Sequence, residues 1–139
     1  MTTEKGGGKQ RVLVVEDEML ISMTIEDALT DLDCEIVGPA STLDAAMKLA
    51  RDEKLDAALL DVTIRGGNVF PVAELLMKRG VPFAFSSGYG DWALPEAFKG
   101  QRRLTKPFTG VELEDMIRSL CDRPSRHSLV ERSVGPVRP

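Results

Sequence analysis

Only two cysteines and one histidine occur among the 139 residues. No apolar run approaches the roughly 20 residues that a helical membrane span needs. Cys34 and Cys121 are far apart in sequence and lack metal-ligand spacing, so they read as buried thiols of a reducing cytosol and not as a disulfide framework. His127 stands alone in a polar stretch and reads as neither ligand nor base. An excess of positive charge is missing too. The formal net charge is −4, which argues against a protein that holds nucleic acid by neutralising phosphates. The opening Met1-Thr2-Thr3-Glu4-Lys5-Gly6-Gly7-Gly8 carries no apolar segment of the kind a signal peptide needs. Gly6-Gly7-Gly8-Lys9 is no phosphate loop, because it precedes the first strand and no Ser or Thr follows the lysine. No internal repeat is found. These absences predict a cytoplasmic protein with neither a nucleic-acid nor a membrane partner.

What is there is the balance of a globular domain, 42% apolar and 29% charged, in a chain long enough for one core and too short for two. Residues 1–10 are polar and Gly-rich and are expected to be a flexible tail. Residues 11–122 form the predicted domain. The Ser-, Arg- and Pro-rich segment 123–139 is expected to be a disordered tail.

Within the domain, Arg11-Val12-Leu13-Val14-Val15 is a short apolar run that stops at charges, as a strand buried on both faces does. Ile21, Ile25, Ala28, Leu29 and Leu32 then share one helical face. A second strand is predicted over Cys34–Val37, ended by Gly38-Pro39. Ser41 with Asp44 predicts the start of a helix whose stripe is Leu43, Ala46, Met47 and Ala50. Ala57-Ala58-Leu59-Leu60 is a third strand that runs straight into Asp61. A Gly-containing loop, Arg65–Asn68, leads to a helix with Pro71 in its first turn and Val72, Leu75 and Leu76 inward. Phe83–Ser86 is a fourth strand, Leu94–Phe98 a short helical segment and Arg102–Leu104 a fifth strand. Thr109 and Glu112 make a capping box for a last helix with Leu113, Met116, Ile117 and Leu120 inward.

Strands alternating with helices call for a parallel sheet covered on both faces. Right-handed crossovers favour a flavodoxin-like, doubly wound α/β fold of five strands in the order 2-1-3-4-5. Ligands in such sheets gather beyond the carboxyl ends of the strands. There the sequence places Glu16-Asp17-Glu18, Asp61, Ser86-Ser87 and Lys106-Pro107. Clustered carboxylates repel one another, and a hard divalent cation with oxygen ligands, Mg2+ above all, relieves the repulsion. A carboxylate in such a site can attack phosphorus to form an acyl phosphate, with a lysine and a hydroxyl stabilising the other phosphoryl oxygens. Asp61, between the acidic pair and the Ser/Lys side, is the natural nucleophile.

The set Val14-Val15-Glu16-Asp17-Glu18, Leu59-Leu60-Asp61, Ser86-Ser87-Gly88 and Lys106-Pro107-Phe108 resembles the receiver domains of two-component response regulators over about residues 11–121. The resemblance implies that Asp61 is the phosphoacceptor. It implies Mg2+ binding by Glu16, Asp17, Asp61 and the Thr63 backbone carbonyl, with Ser87 as the switch hydroxyl and Lys106 as the phosphoryl contact. It also implies a cis Lys106-Pro107 bond in many members. Pro82–Gly90 is similar to the Phe-x-Thr-Gly-Tyr signature of single-domain regulators of alphaproteobacteria, which implies a sensor histidine kinase of HWE/HisKA2 type as partner. Signalling would then run through protein contact or end in a phosphate sink. The function implied is that of a phosphoacceptor rather than an enzyme, with only self-catalysed phosphoryl transfer and autodephosphorylation.

The sequence departs from that pattern in two places. Val62-Thr63-Ile64-Arg65 replaces the usual Met-Pro-containing loop, and Leu104 stands where an aromatic switch residue is usual, leaving Tyr89 as a substitute. Two other readings stay open. One is an unphosphorylated pseudo-receiver that serves as a binding module. The other is an aspartyl-phosphate phosphatase of haloacid-dehalogenase type, which would need a second acid where this chain has Thr63.

Overall fold

The computed structural model describes residues 9–88 and 94–121. The segments 1–8 and 122–139, which hold nearly all of the two expected tails and His127, lie outside the described residues, as does Tyr89. Five parallel strands form one sheet: β1 (Arg11–Val15), β2 (Glu35–Ala40), β3 (Ala57–Asp61), β4 (Phe83–Ser87) and β5 (Arg102–Thr105). Their spatial order is β2-β1-β3-β4-β5, the flavodoxin-like order expected from the alternation. Four α-helices cover it: α1 (Met19–Asp31), α2 (Leu43–Asp52), α3 (Phe70–Arg79) and α4 (Gly110–Cys121). The segment expected to be helical around Leu94–Phe98 holds a single 3-10 turn, Glu96–Phe98.

The period-two alternation of the strands divides the core. Leu13, Val15, Ala58, Leu60, Phe83 and Phe85 meet α2 and α3 on one face. Val12, Val14, Ala57, Leu59, Ala84 and Leu104 meet α1 and α4 on the other. Every residue of β3 and β4 is buried, which is why Ala57–Leu60 and Phe83–Phe85 read as unbroken apolar runs up to the polar strand ends. Burying a Val, Leu, Ile or Phe is worth about 1.5–3 kcal/mol, so the two layers dominate the stability. On the α2/α3 side, Phe70, Phe83, Phe85 and Phe98 form a ring cluster with centroids 5.5–6.4 Å apart.

The local signals hold unevenly. The capping box is made: Thr109 N–H donates to Glu112 Oε1 at 2.9 Å, and Glu112 N–H to Thr109 Oγ1 at 3.0 Å. The cap of α2 is Thr42 rather than Ser41, its Oγ1 accepting from Ala45 N–H at 3.2 Å. That is the Ncap-to-N3 spacing, which Ser41 misses by one residue.

Strand β2 also differs from the expectation, running through Gly38-Pro39 to Ala40. Its register shifts between Leu13↔Val37 and Val15↔Ala40, so β2 carries an extra residue there. Gly38 supplies the positive φ of 105°, and on the outermost strand Pro39 costs little by lacking a donor. The Arg65–Asn68 loop belongs to a small hairpin, Thr63–Ile64 against Gly67–Asn68. It is tied to α2 by Leu43 N–H donating to Arg65 O at 2.8 Å.

Cys34 and Cys121 carry free thiols, half-buried rather than fully buried. No helix among the described residues is long and apolar enough to cross a membrane.

Candidate functional site

The carboxyl ends of β1, β3, β4 and β5 meet at one edge of the sheet. Backbone hydrogen bonds carry the ladder just past the strands. Glu16 N–H reaches Ala40 O at 2.9 Å, Val62 N–H reaches Ser86 O at 3.1 Å, and Lys106 N–H reaches Ser87 O at 2.8 Å. The residues at the strand ends are thereby fixed by main chain and not left on free loops. Asp61 pairs in register with Ser86, and Ser86 with Leu104. Lys106-Pro107 is a cis peptide bond.

Glu16, Asp17 and Asp61 each offer a carboxylate oxygen, and these oxygens lie within 4.8 Å of one another. Glu16 and Asp61 are buried and Asp17 is half-buried. Lys106 sits against them: its Nζ is 3.1 Å from Glu16 Oε1 and 3.3 Å from Asp61 Oδ2. A third carboxylate, Glu18, is 3.2 Å from the same Nζ. Glu18 also ties into the cluster through its N–H, which donates to Glu16 Oε2 at 3.0 Å. Sequence alone assigns Glu18 no role beyond standing beside the acidic pair. The signal was its place in the Glu-Asp-Glu run that follows β1.

These charges set one another. Burial, then the Glu16 carboxylate, push the Asp61 carboxyl up to about 7, against the opposing pull of Lys106. Burial alone would lower Lys106. The charges of Asp61 and Glu16, with hydrogen bonds to Glu16 and Glu18, outweigh it and hold the ammonium above its ordinary range.

The donors suit a hard cation. All are carboxylate oxygens, two of the three groups are buried, and Glu16 Oε1 has no hydrogen bond of good geometry despite its nearness to Lys106. Such a set fits Mg2+, and Lys106 partly compensates the same charge.

Ser87 is buried at the end of β4, and Thr63 opens the hairpin two residues past Asp61. Ser86 is also buried, and its Oγ has no hydrogen-bond partner. Leu104, which takes the place of the usual aromatic, packs in the α1/α4 core layer. Beside the cluster opens a groove of about 460 Å³ lined by Glu18, Leu20, Ile21, Thr24, Gly88, Lys106, Pro107 and Phe108. Met19, Leu20 and Met23 of α1 are exposed around it.

No family model matches the chain. Solved structures do. The chain is 40% identical to SdrG from Sphingomonas melonis Fr1, over 81% of this chain and 96% of that one, with a TM-score of 0.72. A BeF3-activated conformation of SdrG from Pseudomonas melonis Fr1 matches at 40% identity over 80% and 95% of the two chains, with a TM-score of 0.67. The receiver domain of the response regulator PhyR from Erythrobacter litoralis is 29% identical over 87% and 98%, with a TM-score of 0.70. Among curated proteins, the transcriptional regulatory protein PdtaR of Mycobacterium tuberculosis is 29% identical, over 91% of this chain and 72% of its own length.

Proposed function

As a member of the response-regulator receiver family, the chain works, we propose, as a phosphorylation switch in which Asp61 accepts a phosphoryl group from a sensor histidine kinase. The observation that carries this reading is the convergence of Glu16, Asp17, Asp61 and Lys106 at one sheet edge. That set joins a nucleophile, a cation site and a fixed positive charge.

In the step itself, an Asp61 carboxylate oxygen forms a bond to phosphorus while the bond from phosphorus to the donor's imidazole nitrogen breaks. The imidazole leaves and regains its proton from solvent. Glu16, Asp17, Asp61 and the Thr63 carbonyl would hold Mg2+, which would supply positive charge for the phosphoryl oxygens. Lys106, already 3.3 Å from Asp61 Oδ2, moves its charge onto a phosphoryl oxygen. The Ser87 hydroxyl donates to another and draws the end of β4 toward Asp61, which biases the following loop. Autodephosphorylation by water returns the chain to its starting state.

SdrG, 40% identical to this chain, has a BeF3-activated conformation, and BeF3 is a mimic of a phosphoryl group, which supports a phosphoacceptor role for this chain too. The switch differs from the usual receiver at Leu104, whose buried aliphatic side chain cannot perform an aromatic rotation. The groove beside Lys106 gives the donor an apolar landing. A kinase of HWE/HisKA2 type is the expected donor, and the site of action is the cytoplasm. Output passes through protein contact on the β4–β5 side or stops at phosphate storage.

Incubation with acetyl phosphate tests the reading. A Mg2+-dependent gain of one phosphoryl group by intact mass is expected for the natural sequence and none for Asp61→Asn. Equal labelling of both would overturn the assignment. A chain that is labelled neither by acetyl phosphate nor by phosphorylated kinases would be a pseudo-receiver.

A further inference from the structure

Cys34 and Cys121 are separated by most of the domain in sequence, yet the fold brings their thiols within hydrogen-bonding reach of each other. Cys34 follows a turn in which Asp33 has a φ of 61°, and its N–H is fixed by Leu29 O at 2.8 Å. Cys121 is the last residue of α4. Both are half-buried and both pack on the apolar layer shared by α1 and α4, so two backbone anchors hold the sulfurs and a small oxidant can reach them.

The pair lies at the end of the sheet opposite Asp61. Cys34 immediately precedes β2, whereas Asp61 closes β3, and a five-residue strand spans about 17 Å. Neither cysteine touches the carboxylate cluster. Nothing in the phosphorylation chemistry uses them.

We propose that Cys34 and Cys121 are a reversible redox site, which forms an intramolecular disulfide under oxidants of the peroxide class and staples the end of α4 to the α1–β2 turn. Hydrogen peroxide converts one thiol to a sulfenic acid and releases water. The second thiol then attacks that sulfur, and a second water leaves as the S–S bond forms. Two electrons and two hydrogens go from the dithiol to the peroxide. A dithiol such as reduced thioredoxin returns both by exchange.

Burial raises both thiols, and the neighbouring Cys34, with Asp56 behind it, raises Cys121 further, to about 12. Both therefore stay protonated at neutral pH and react slowly. In a reducing compartment the site rests as the dithiol, and the link accumulates only when oxidant outruns reductant. The staple fixes the C-terminal end of α4 against the α1–β2 turn and leaves Asp61 untouched.

The test uses the full chain, reduced, freed of reductant and treated at low protein concentration with hydrogen peroxide or, separately, diamide. The expected product is a monomer lighter by two hydrogens. A Cys34–Cys121 linked peptide appears on digestion, Tm rises by roughly 10 °C, and a phosphine reverses all three. Asp61→Asn oxidises identically, which separates this inference from the receiver reading. Cys34→Ser gives neither the mass loss nor the rise. Intermolecular dimers, sulfinic acid on separate cysteines, thiols still alkylatable after unfolding, or a linked monomer with an unchanged Tm would each overturn the proposal.

Discussion

Lys106 Nζ stands 3.3 Å from Asp61 Oδ2, with the two side chains only 13% and 6% exposed. Both are therefore largely withdrawn from water, and each is the other's compensation. Lys106 also answers Glu16 and Glu18, so a single ammonium offsets a group of carboxylates that would otherwise repel.

Lys106→Met removes that offset. The metal-free variant is expected to lose about 1–3 kcal/mol of stability at pH 8, and Mg2+ should restore part of it. Urea midpoints with EDTA and with Mg2+ check both halves, and an unchanged midpoint in EDTA would contradict the pairing.

The raised carboxyl of Asp61 makes a pH prediction with a definite sign. An unfolded Asp ionises near its ordinary value of 3.8, whereas in the fold Asp61 holds its proton to about 7. Between these values the native state binds more protons, so this group takes stability away as pH rises through the window and withholds it fully above 7. In EDTA, Asp61→Asn should therefore match the natural sequence near pH 4. It should exceed the natural sequence by about 1–3 kcal/mol at pH 8. Urea unfolding of both proteins at the two pH values reads the difference, and a gap that does not grow with pH would contradict it.

Phe98 joins the one-turn helix to the core. Its ring lies 5.5 Å from Phe70 and 5.6 Å from Phe85 by centroid, and the residue is 2% exposed. Phe98→Ala is expected to cost about 3–5 kcal/mol by urea denaturation. A cost below about 1 kcal/mol would show that the ring cluster is not a packed unit.

Gly38 tests the bulge in β2. A Cβ there would meet Ala40 N at 2.8 Å and Val14 O at 2.9 Å, both backbone atoms, at a φ of 105°. Gly38→Ala should destabilise by about 2–4 kcal/mol. Gly110→Ala, with nothing within 4 Å of its Cβ, serves as the neutral comparison in the same thermal melts.

The sequence discloses those parts of this molecule that a one-dimensional pattern carries. Val12–Val15 and Ala57–Leu60 are unbroken apolar because both faces of their strands are covered, and their ends point to Glu16, Asp17 and Asp61. Thr109 and Glu112 announce a helix because the capping box has fixed spacing.

Other features depend on partners that are distant in sequence. Gly38-Pro39 reads as a stop, yet continues a strand because β2 lies at the edge of the sheet and bulges. The ion pairs of Lys106 with Glu16 and Glu18 appear only when the loop after β5 folds back over β1. The four-phenylalanine cluster and the contact of Cys34 with Cys121 are likewise tertiary. The hairpin at Thr63–Asn68 is too short for any alternation to register.

The most direct test of the central claim is to locate the phosphoryl group. The chain is treated with acetyl phosphate and Mg2+, reduced with borohydride and digested for peptide mass analysis. An acyl phosphate at Asp61 is reduced to homoserine, so homoserine at position 61, absent without Mg2+, is the predicted result. An unreduced Asp61 with homoserine at another acidic residue, or phosphate stable on a hydroxyl, would contradict the account.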